Sequence, residues 1–324
     1  MVTPAPPLRI VFFGTPDFAV PTLEALHASP HQVVAVVTQP DRARGRGQHS
    51  QPGPVKQVAE GLGMTILQPQ RLRDEEFLDA YRSLHADLGV VAAYGKILTD
   101  TVLAVPKLGL VNVHASLLPK YRGAAPIHRA VMAGETVTGV TIMRVVKALD
   151  AGPMLSKATR AIGDGETSAE VEYDVARLGA AALIKAVDAL AAGDVSEVAQ
   201  EESEATYAHK LQKADGIVDW SRPARAIHNQ IRGLHPWPHA FSELQGERTI
   251  LLRSEVEDEQ SHAHGVPGAV IDANPDRFAV QTGSGVLRLL MLQREGRRAV
   301  TAREFLAGRR IEPGAQFVSS HIAP

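Results

Sequence analysis

The sequence predicts an α/β chain with a mostly parallel sheet, followed by a smaller all-β domain. Three observations carry this expectation. The chain opens strand, helix, strand: Leu8 to Phe13 is compact and apolar, Phe18 to Ala28 is helical with Pro21 in its first turn, and Gln32 to Thr38 is rich in valine. Apolar strands recur at Leu88 to Ala93 and from Leu110, with helical segments between them. Beyond residue 206 short strands follow at turn-marked intervals, which suggests a small antiparallel barrel or sandwich. A length of 324 residues fits about two domains. The expected division is 1–193, an acidic linker over 194–206 (Glu197, Glu201, Glu202, Glu204), and 207–324.

Within the first domain, the strand at Leu8 ends in Gly14-Thr15-Pro16-Asp17. Only Gly14 of the G-x-G-x-x-G dinucleotide fingerprint is present, which speaks against a nicotinamide cofactor. Gln39 to Pro54 is a polar loop carrying Asp41, Arg42, Arg44, Gly45, Arg46 and Gly47; composition alone makes it a solvated, flexible basic element. Val55 to Gly61 and Asp74 to Leu84 read as helices, with a short strand at Thr65 to Leu67. The strand at Leu110, Val111 and Val113 is interrupted by Asn112 and His114, whose spacing of two puts both on one face. A loop marked by Ser116, Pro119 and Gly123 leads to a helix from Ala124 to Ala133. In open α/β sheets ligands sit beyond the carboxyl ends of strands, so this polar pair is a candidate site.

Thr138 to Val146 is a further strand, running into a Gly/Pro-marked turn that holds Asp150, where an Asp is ordinarily a turn former. Met154 to Ile162 follows as a strand. Ser168 to Ala192 is helical, with Ser168 expected as N-cap and Gly193 as stop. In the second domain a helix at Ala224 to Ile231 precedes strands at Thr249 to Leu252, Ala269 to Asp272, Phe278 to Thr282 and Val286 to Leu292. Thr301 and Glu304 have capping-box spacing at the start of a last helix. From Arg288 to Arg310 there are seven arginines against two acids, Glu295 and Glu304. Such a flank can track a phosphate backbone, or be merely solvated.

Composition narrows the chemistry. Without cysteine there are no disulfides, no thiolate catalysis and no Cys-ligated metal. This fits a reducing cytoplasm, the expected location. Met1 to Pro7 lacks the features of a signal peptide, and no apolar run approaches the roughly 18 residues of a membrane helix. The net charge of −2 requires any nucleic-acid surface to be concentrated locally. There is no nucleophile-elbow serine and no H-E-x-x-H spacing. What remains for Asn112, His114 and Asp150 is direct acyl transfer between two bound substrates. His exchanges protons near neutral pH, Asn donates to an oxyanion without ionising, and a carboxylate beside His can fix its tautomer. An amine acceptor, with a pKa of about 8, would react in its neutral form.

Asn112-x-His114, Ser116-Leu117-Leu118-Pro119, Arg122-Gly123 and Leu149-Asp150-x-Gly152 resemble the formyltransferases that use 10-formyltetrahydrofolate. Over residues 8 to 318 the chain looks like the branch acting on methionyl initiator tRNA. Phe13-Gly14-Thr15-Pro16-Asp17-Phe18, Thr38-Gln39-Pro40-Asp41-Arg42, Tyr94-Gly95, Gly123-Ala124-Ala125-Pro126-Ile127, Thr138 to Met143, Asp219-Trp220 and Pro236-Trp237-Pro238 add to the likeness. The resemblance implies a Rossmann-like formyl-transfer domain and an OB-fold-like barrel. It implies Asn112, His114 and Asp150 as the catalytic set. The folate site would be lined by Ser116, Leu117, Leu118 and Pro119, by backbone from Val91 to Tyr94, and by the segment from Val140 to Asp150. It also implies 10-formyltetrahydrofolate as formyl donor, no metal, and a monomer. The loop with Arg42, Arg44 and Arg46 would reach the tRNA acceptor end, assisted by C-terminal arginines including Arg297 and Arg298.

Two departures stand out. Gln48-His49-Ser50 replace lysines common in the family, which shifts the expected tRNA contacts toward Arg42, Arg44 and the C-terminal arginines. Ala148 replaces a usual Gly before Leu149, at the folate-site loop. The rival readings are a formyltransferase with a small amine acceptor, a hydrolase of the formyl folate, a nucleotide-dependent oxidoreductase, and a non-catalytic RNA-binding protein.

Overall fold

The computed structural model describes residues 6–44, 49–259 and 265–319. Along the chain run β1 (Arg9–Gly14), α1 (Val20–His27), β2 (Gln32–Val37), β3 (Arg42–Arg44), β4 (His49–Gln51), α2 (Pro54–Gly61), β5 (Ile66–Leu67), α3 (Glu75–Ser83), β6 (Leu88–Ala92), α4 (Asp100–Leu103), β7 (Leu110–His114), β8 (Arg122–Gly123), α5 (Pro126–Ala133), β9 (Val137–Arg144), β10 (Met154–Ala161) and α6 (Ser168–Ala192). Then come β11 (Tyr207–Ala208), α7 (Ala224–Gly233), β12 (Ala240–Leu244), β13 (Glu247–Asp258), β14 (Val270–Asn274), β15 (Arg277–Gln281), β16 (Val286–Arg294), β17 (Ala299–Thr301), α8 (Ala302–Ala307) and β18 (Phe317–Val318).

Two compact units result. The first comprises residues 1–123, 138–160 and 172–207; the second comprises 124–137, 161–171 and 208–324. In the first, the sheet order is β10-β9-β7-β6-β1-β2-β5. β5, β2, β1, β6 and β7 are parallel, and β9 runs antiparallel to β7 with Thr141 opposite His114. The parallel strands are apolar because both faces are covered: Ile10 to Phe13 are fully buried, and every residue of β6 is buried. Phe13 meets Tyr81 and Tyr94 edge-on. Helix α6 lies close on the sheet at Gly179, where a Cβ would stand 2.7 Å from Val113 Cγ1 and 3.2 Å from Val140 Cγ2. A glycine there costs about 1 kcal/mol of helix propensity and is retained for the close approach.

Three segments differ from the sequence reading. The basic loop from Gln39 to Pro54 contains a hairpin, with Arg42 opposite Gln51 and Arg44 opposite His49. Its entry is pinned at Asp41, which accepts from Lys56 Nζ at 2.6 Å and Gln68 Nε2 at 2.8 Å; these bonds hold the carboxyl below the usual carboxylate range. Arg46 lies outside the described residues. The acidic stretch 194–206 lies along the first unit: Val198 pairs with Met154, and Gln200 and Glu202 bond Arg122. The cap of α6 is Thr167, not Ser168. Thr167 Oγ1 accepts from Glu170 N, while Glu170 Oε2 accepts from Thr167 N at 2.7 Å. The Ser168 hydroxyl is buried and donates instead to the Gly233 carbonyl at 2.7 Å. Gly193, at φ +70°, ends the helix as expected.

In the second unit an antiparallel sheet runs β14-β15-β16-β13-β12-β18, with β17 on β16. Its two edges meet in one segment. Ala315 accepts from Val270 N and Phe317 donates to Gly268, while Phe317 also pairs with Leu244 of β12. Trp220, Phe278, Phe305 and Phe317 fill the interior with Ile227 and Ile231 of α7. The capping box at Thr301 and Glu304 is present as expected.

Glu170 generates a prediction. Burial pushes its carboxyl up, but bonds from the Thr167 backbone, Arg253 and the Thr167 hydroxyl outweigh this and hold it at about 2. A depressed carboxyl stabilises above its unfolded pKa of about 4.3 and loses that effect as pH falls. Glu170→Ala should cost about 1 kcal/mol at pH 7. The gap between variant and parent should shrink from pH ~4.3 toward 2, as read from thermal melts at stepped pH.

Candidate active site

The carboxyl ends of β1, β2, β6 and β7 lie along one edge of the first sheet. His114 ends β7 there and is buried at 5 % exposure. Its Nε2 is 3.0 Å from the Tyr121 carbonyl oxygen. A carbonyl only accepts, so Nε2 carries the proton. The tautomer is thus fixed by a backbone oxygen rather than by a carboxylate. Nδ1 faces Asp150 Oδ2 at 3.6 Å, within ion-pair range and longer than a hydrogen bond. The same Oδ2 accepts the Gly123 N–H at 2.8 Å. The stretch from Tyr121 to Gly123 therefore holds both groups, the imidazole by a carbonyl and the carboxylate by an amide.

Asp150 itself adopts φ +47°, a left-handed conformation that Asp tolerates better than most residues. Gly152 is required beside it, since a Cβ there would lie 2.0 Å from the Arg144 carbonyl. Ala148 stays out of the left-handed region, so the alanine is accommodated and the turn's unusual conformation falls on Asp150. Asn112 shares the His114 face of β7 and is half-buried. Among the described residues its side-chain amide makes no hydrogen bond to protein, so its donors remain available to a ligand.

The residues expected at the folate site fall into two groups. Ser116 is buried, and its hydroxyl donates to the Lys120 carbonyl at 2.6 Å, closing the loop on itself. Leu118 is fully buried with Met143 and Met154. Thr141 of β9 fastens this loop: its hydroxyl donates to the Ser116 carbonyl at 2.7 Å and accepts the Leu118 N–H at 3.1 Å. Val140 is buried against α6, and the Tyr94 phenol is pushed up to about 12 by burial. These side chains shape the edge from behind. Leu117 is half-buried, and Ile97, Val146 and Leu149 are exposed apolar groups of the same unit. Sequence reasoning did not identify Tyr121 or Gln200 as parts of the site, and included Thr141 only within the folate-site segment from Val140 to Asp150.

The arginines divide differently from the sequence pattern. Of the seven between 288 and 310, six are ion-paired: Arg288 with Glu255, Arg294 and Arg309 with Glu247, Arg298 with Glu304, Arg303 with Asp276 and Arg310 with Glu312. Four of the five acids come from outside the basic run or its two counted acids. Among the described residues Arg297 has no ion-pair partner. No group of three or more His, Asp or Glu suited to a metal occurs among them either.

Residues 8–187 match the formyl transferase family and residues 210–310 the formyl transferase C-terminal domain. The methionyl-tRNA formyltransferase of Heliobacterium modesticaldum is 46% identical over 318 residues, covering 96% of this chain and 100% of that protein. That of Stutzerimonas stutzeri is 48% identical over 290 residues, covering 90% and 91%. Among solved structures, an N-formyltransferase from Helicobacter canadensis, in complex with folinic acid and dTDP-3-aminofucose, aligns at TM-score 0.67 and 17% identity, covering 89% of this chain and 99% of that one. HypX of Aquifex aeolicus, in complex with tetrahydrofolic acid, aligns at TM-score 0.63 and 16% identity over 92% of this chain and 47% of that one. These two share the fold. Fold and family together define a two-part formyl transferase. Within that class, the chain belongs to the methionyl-tRNA formyltransferase family.

Thr141→Val keeps the side chain's volume and strands two buried backbone groups. It should lower stability by about 2 kcal/mol in urea unfolding and raise the KM for the formyl donor. Unchanged stability would remove Thr141 from the support of the Ser116–Lys120 loop.

Proposed function

We propose that the edge formed by Asn112, His114 and Asp150 transfers a formyl group from 10-formyltetrahydrofolate to the α-amino group of methionyl initiator tRNA, for translation initiation. The observation that carries this is the unpartnered Asn112 amide on the same strand face as a buried histidine whose Nδ1 faces a carboxylate. When bound, the folate supplies the formyl group as an amide of its N10 nitrogen. A formyl oxygen needs donors as the amine adds, and Asn112 offers one that cannot ionise. His114 has Nε2 committed to Tyr121, so Nδ1 is the nitrogen left to exchange a proton with the reacting groups, and in the imidazolium form it is the other donor to the oxyanion. Asp150 takes the proton shed by the amine, directly or through a water, and balances the imidazolium charge; a proton passed on to N10 as the tetrahedral adduct collapses lets the formyl C–N10 bond break and tetrahydrofolate leave. The exposed Leu149, next to Asp150 in the chain, gives the flat aromatic part of a folate an apolar surface. The donor set of an amide, an imidazole and a carboxylate suits transfer between two organic substrates.

We assign formyl transfer to residues 1–193 and tRNA binding to 207–324, joined through 194–206. The meeting of both sheet edges at residues 314–318 supports reading the second sheet as an OB-like barrel. The tRNA contacts are assigned to Arg42, Arg44 and Arg46 of the basic loop, and to Arg297 and Arg298. Since six arginines of the C-terminal run are paired, Arg297 carries most of that surface's free charge. We read the enzyme as a cytoplasmic monomer; no helix among the described residues is long and apolar enough to cross a membrane.

Formyl transfer to charged initiator tRNA, run beside charged elongator tRNA and free methionine, tests the reading. The parent should formylate the initiator alone. His114→Ala and Asp150→Ala should each lower kcat/KM by ~10²–10⁴, and Asn112→Ala by ~10², with unchanged melts. Near-parental turnover in either of the first two would remove that residue from the mechanism. Arg297→Ala should weaken tRNA binding and reduce the salt slope by about one, while Arg303→Ala should leave the slope nearly unchanged.

A further inference from the structure

We infer that Gln200 is a positioning residue for this transfer, holding the Asp150 turn and the Tyr121–Gly123 segment in register through a single side-chain amide. This rests on the site reading above. Gln200 Oε1 accepts from Arg122 Nε at 3.0 Å, and its Nε2 donates to the Asp150 carbonyl and the Gly152 carbonyl, each at 2.8 Å. Both amide protons and the amide oxygen are engaged. The opposite flip would set the oxygen against two carbonyls and the NH₂ against a guanidinium, so the orientation is determined by the network.

The two segments clamped here are those that place the reacting groups. Tyr121 supplies the carbonyl for His114 Nε2, and Gly123 the N–H for Asp150 Oδ2. Arg122, between them, is 2 % exposed, with its guanidinium held by Gln200 and by Glu202. On the other side, Asp150 has left-handed backbone, a conformation that does not persist without external support. Gln200 supplies that support to the Asp150 carbonyl itself. Gln200 touches neither reacting group's side chain and acts only through the frame. A misplacement of order 1 Å at a reacting group costs about 10²-fold in rate.

The test is a double-mutant cycle with Gln200→Leu and Asp150→Ala, assayed by single-turnover formyl transfer to charged initiator tRNA. Gln200→Leu should lower kcat about 10- to 100-fold with KM for both substrates within about twofold, and should cause a clearly smaller loss in the Asp150→Ala background, where only the His114 side of the frame is left to disturb. Gln200→Glu keeps the acceptor for Arg122 but puts a carboxylate against two carbonyls. It should lose kcat at least as severely, and its melt shows whether the chain still folds if Gln200→Leu does not. Additive losses, a loss confined to KM, or parental kcat in Gln200→Glu would each overturn the inference while leaving the site reading intact. Parental turnover of Asp150→Ala alone would instead overturn the site reading, and this inference with it.

Discussion

The hydrogen bond from His114 Nε2 to the Tyr121 carbonyl constrains everything around it. It spends one imidazole nitrogen on the backbone, so only Nδ1 is left for chemistry, and that nitrogen points at Asp150. Because the acceptor is a main-chain oxygen, the position of the imidazole depends on the path of the loop from Ala115 to Arg122. That path is held by Ser116 closing on Lys120 and by Thr141 reaching across from β9. Thr141 stands opposite His114 in the strand register, so the strand that carries the histidine and the strand that fastens its loop are hydrogen-bonded neighbours. The sheet places the histidine, and the loop decides what it can do.

Backbone strain falls partly at the same edge. His85, Ala93, Tyr121 and Asp150 are non-glycine residues of this unit at positive φ, in conformations costing of order 1–3 kcal/mol each. Two of these four supply groups bonded within the candidate site: Tyr121 its carbonyl to His114, and Asp150 its carboxylate to Gly123. Strained positions survive where neighbours over-determine them. The bond that Tyr121 N donates to Thr206 Oγ1 and the bond that Gln200 Nε2 donates to the Asp150 carbonyl do so here. Both come from the acidic stretch 194–206, whose composition suggests a linker.

How much of this was legible follows from where each interaction's partners lie. β1, β2 and β6 are apolar on both faces apart from the Arg9 and Gln32 ends, and β7 is apolar on the face of Val111 and Val113, so composition alone reveals them. Asn112 and His114 share a face by a period of two, a purely local fact. Asp150 stands out through its Gly/Pro turn and the resemblance of its surroundings. The hairpin from Arg42 to Gln51 is hidden, since Arg-Ala-Arg and His-Ser-Gln offer no alternation of apolar and polar residues. The cap of α6 is ambiguous between two adjacent hydroxyls, although Thr167 and Glu170 have capping-box spacing. What decides it is a carbonyl at Gly233, 65 residues away, which takes the Ser168 hydroxyl. The role of Tyr121 has no sequence signature because any residue has a carbonyl. Gln200 finds its partners 48 to 78 residues away, beyond any local pattern.

The arginine run shows the same limit in charge rather than shape. Read along the chain, Arg288 to Arg310 is a basic flank. In the antiparallel sheet, β16 lies beside the acid-bearing β13, and Arg288 sits opposite Glu255 in register. What a one-dimensional count presents as a patch is, in three dimensions, a series of short dipoles. Their field falls off faster than that of free charges, so with a net charge of −2 they give little long-range attraction for a polyanion. Exposed ion pairs of this kind are worth only about 0–1 kcal/mol to the fold, so the pairing shapes the surface's field more than it secures the sheet. The paired arginines are also held in fixed directions by their acids. Arg297, with no ion-pair partner among the described residues, is the member of the run whose charge stays uncompensated, so the long-range field of this flank follows from one side chain rather than from the count of seven.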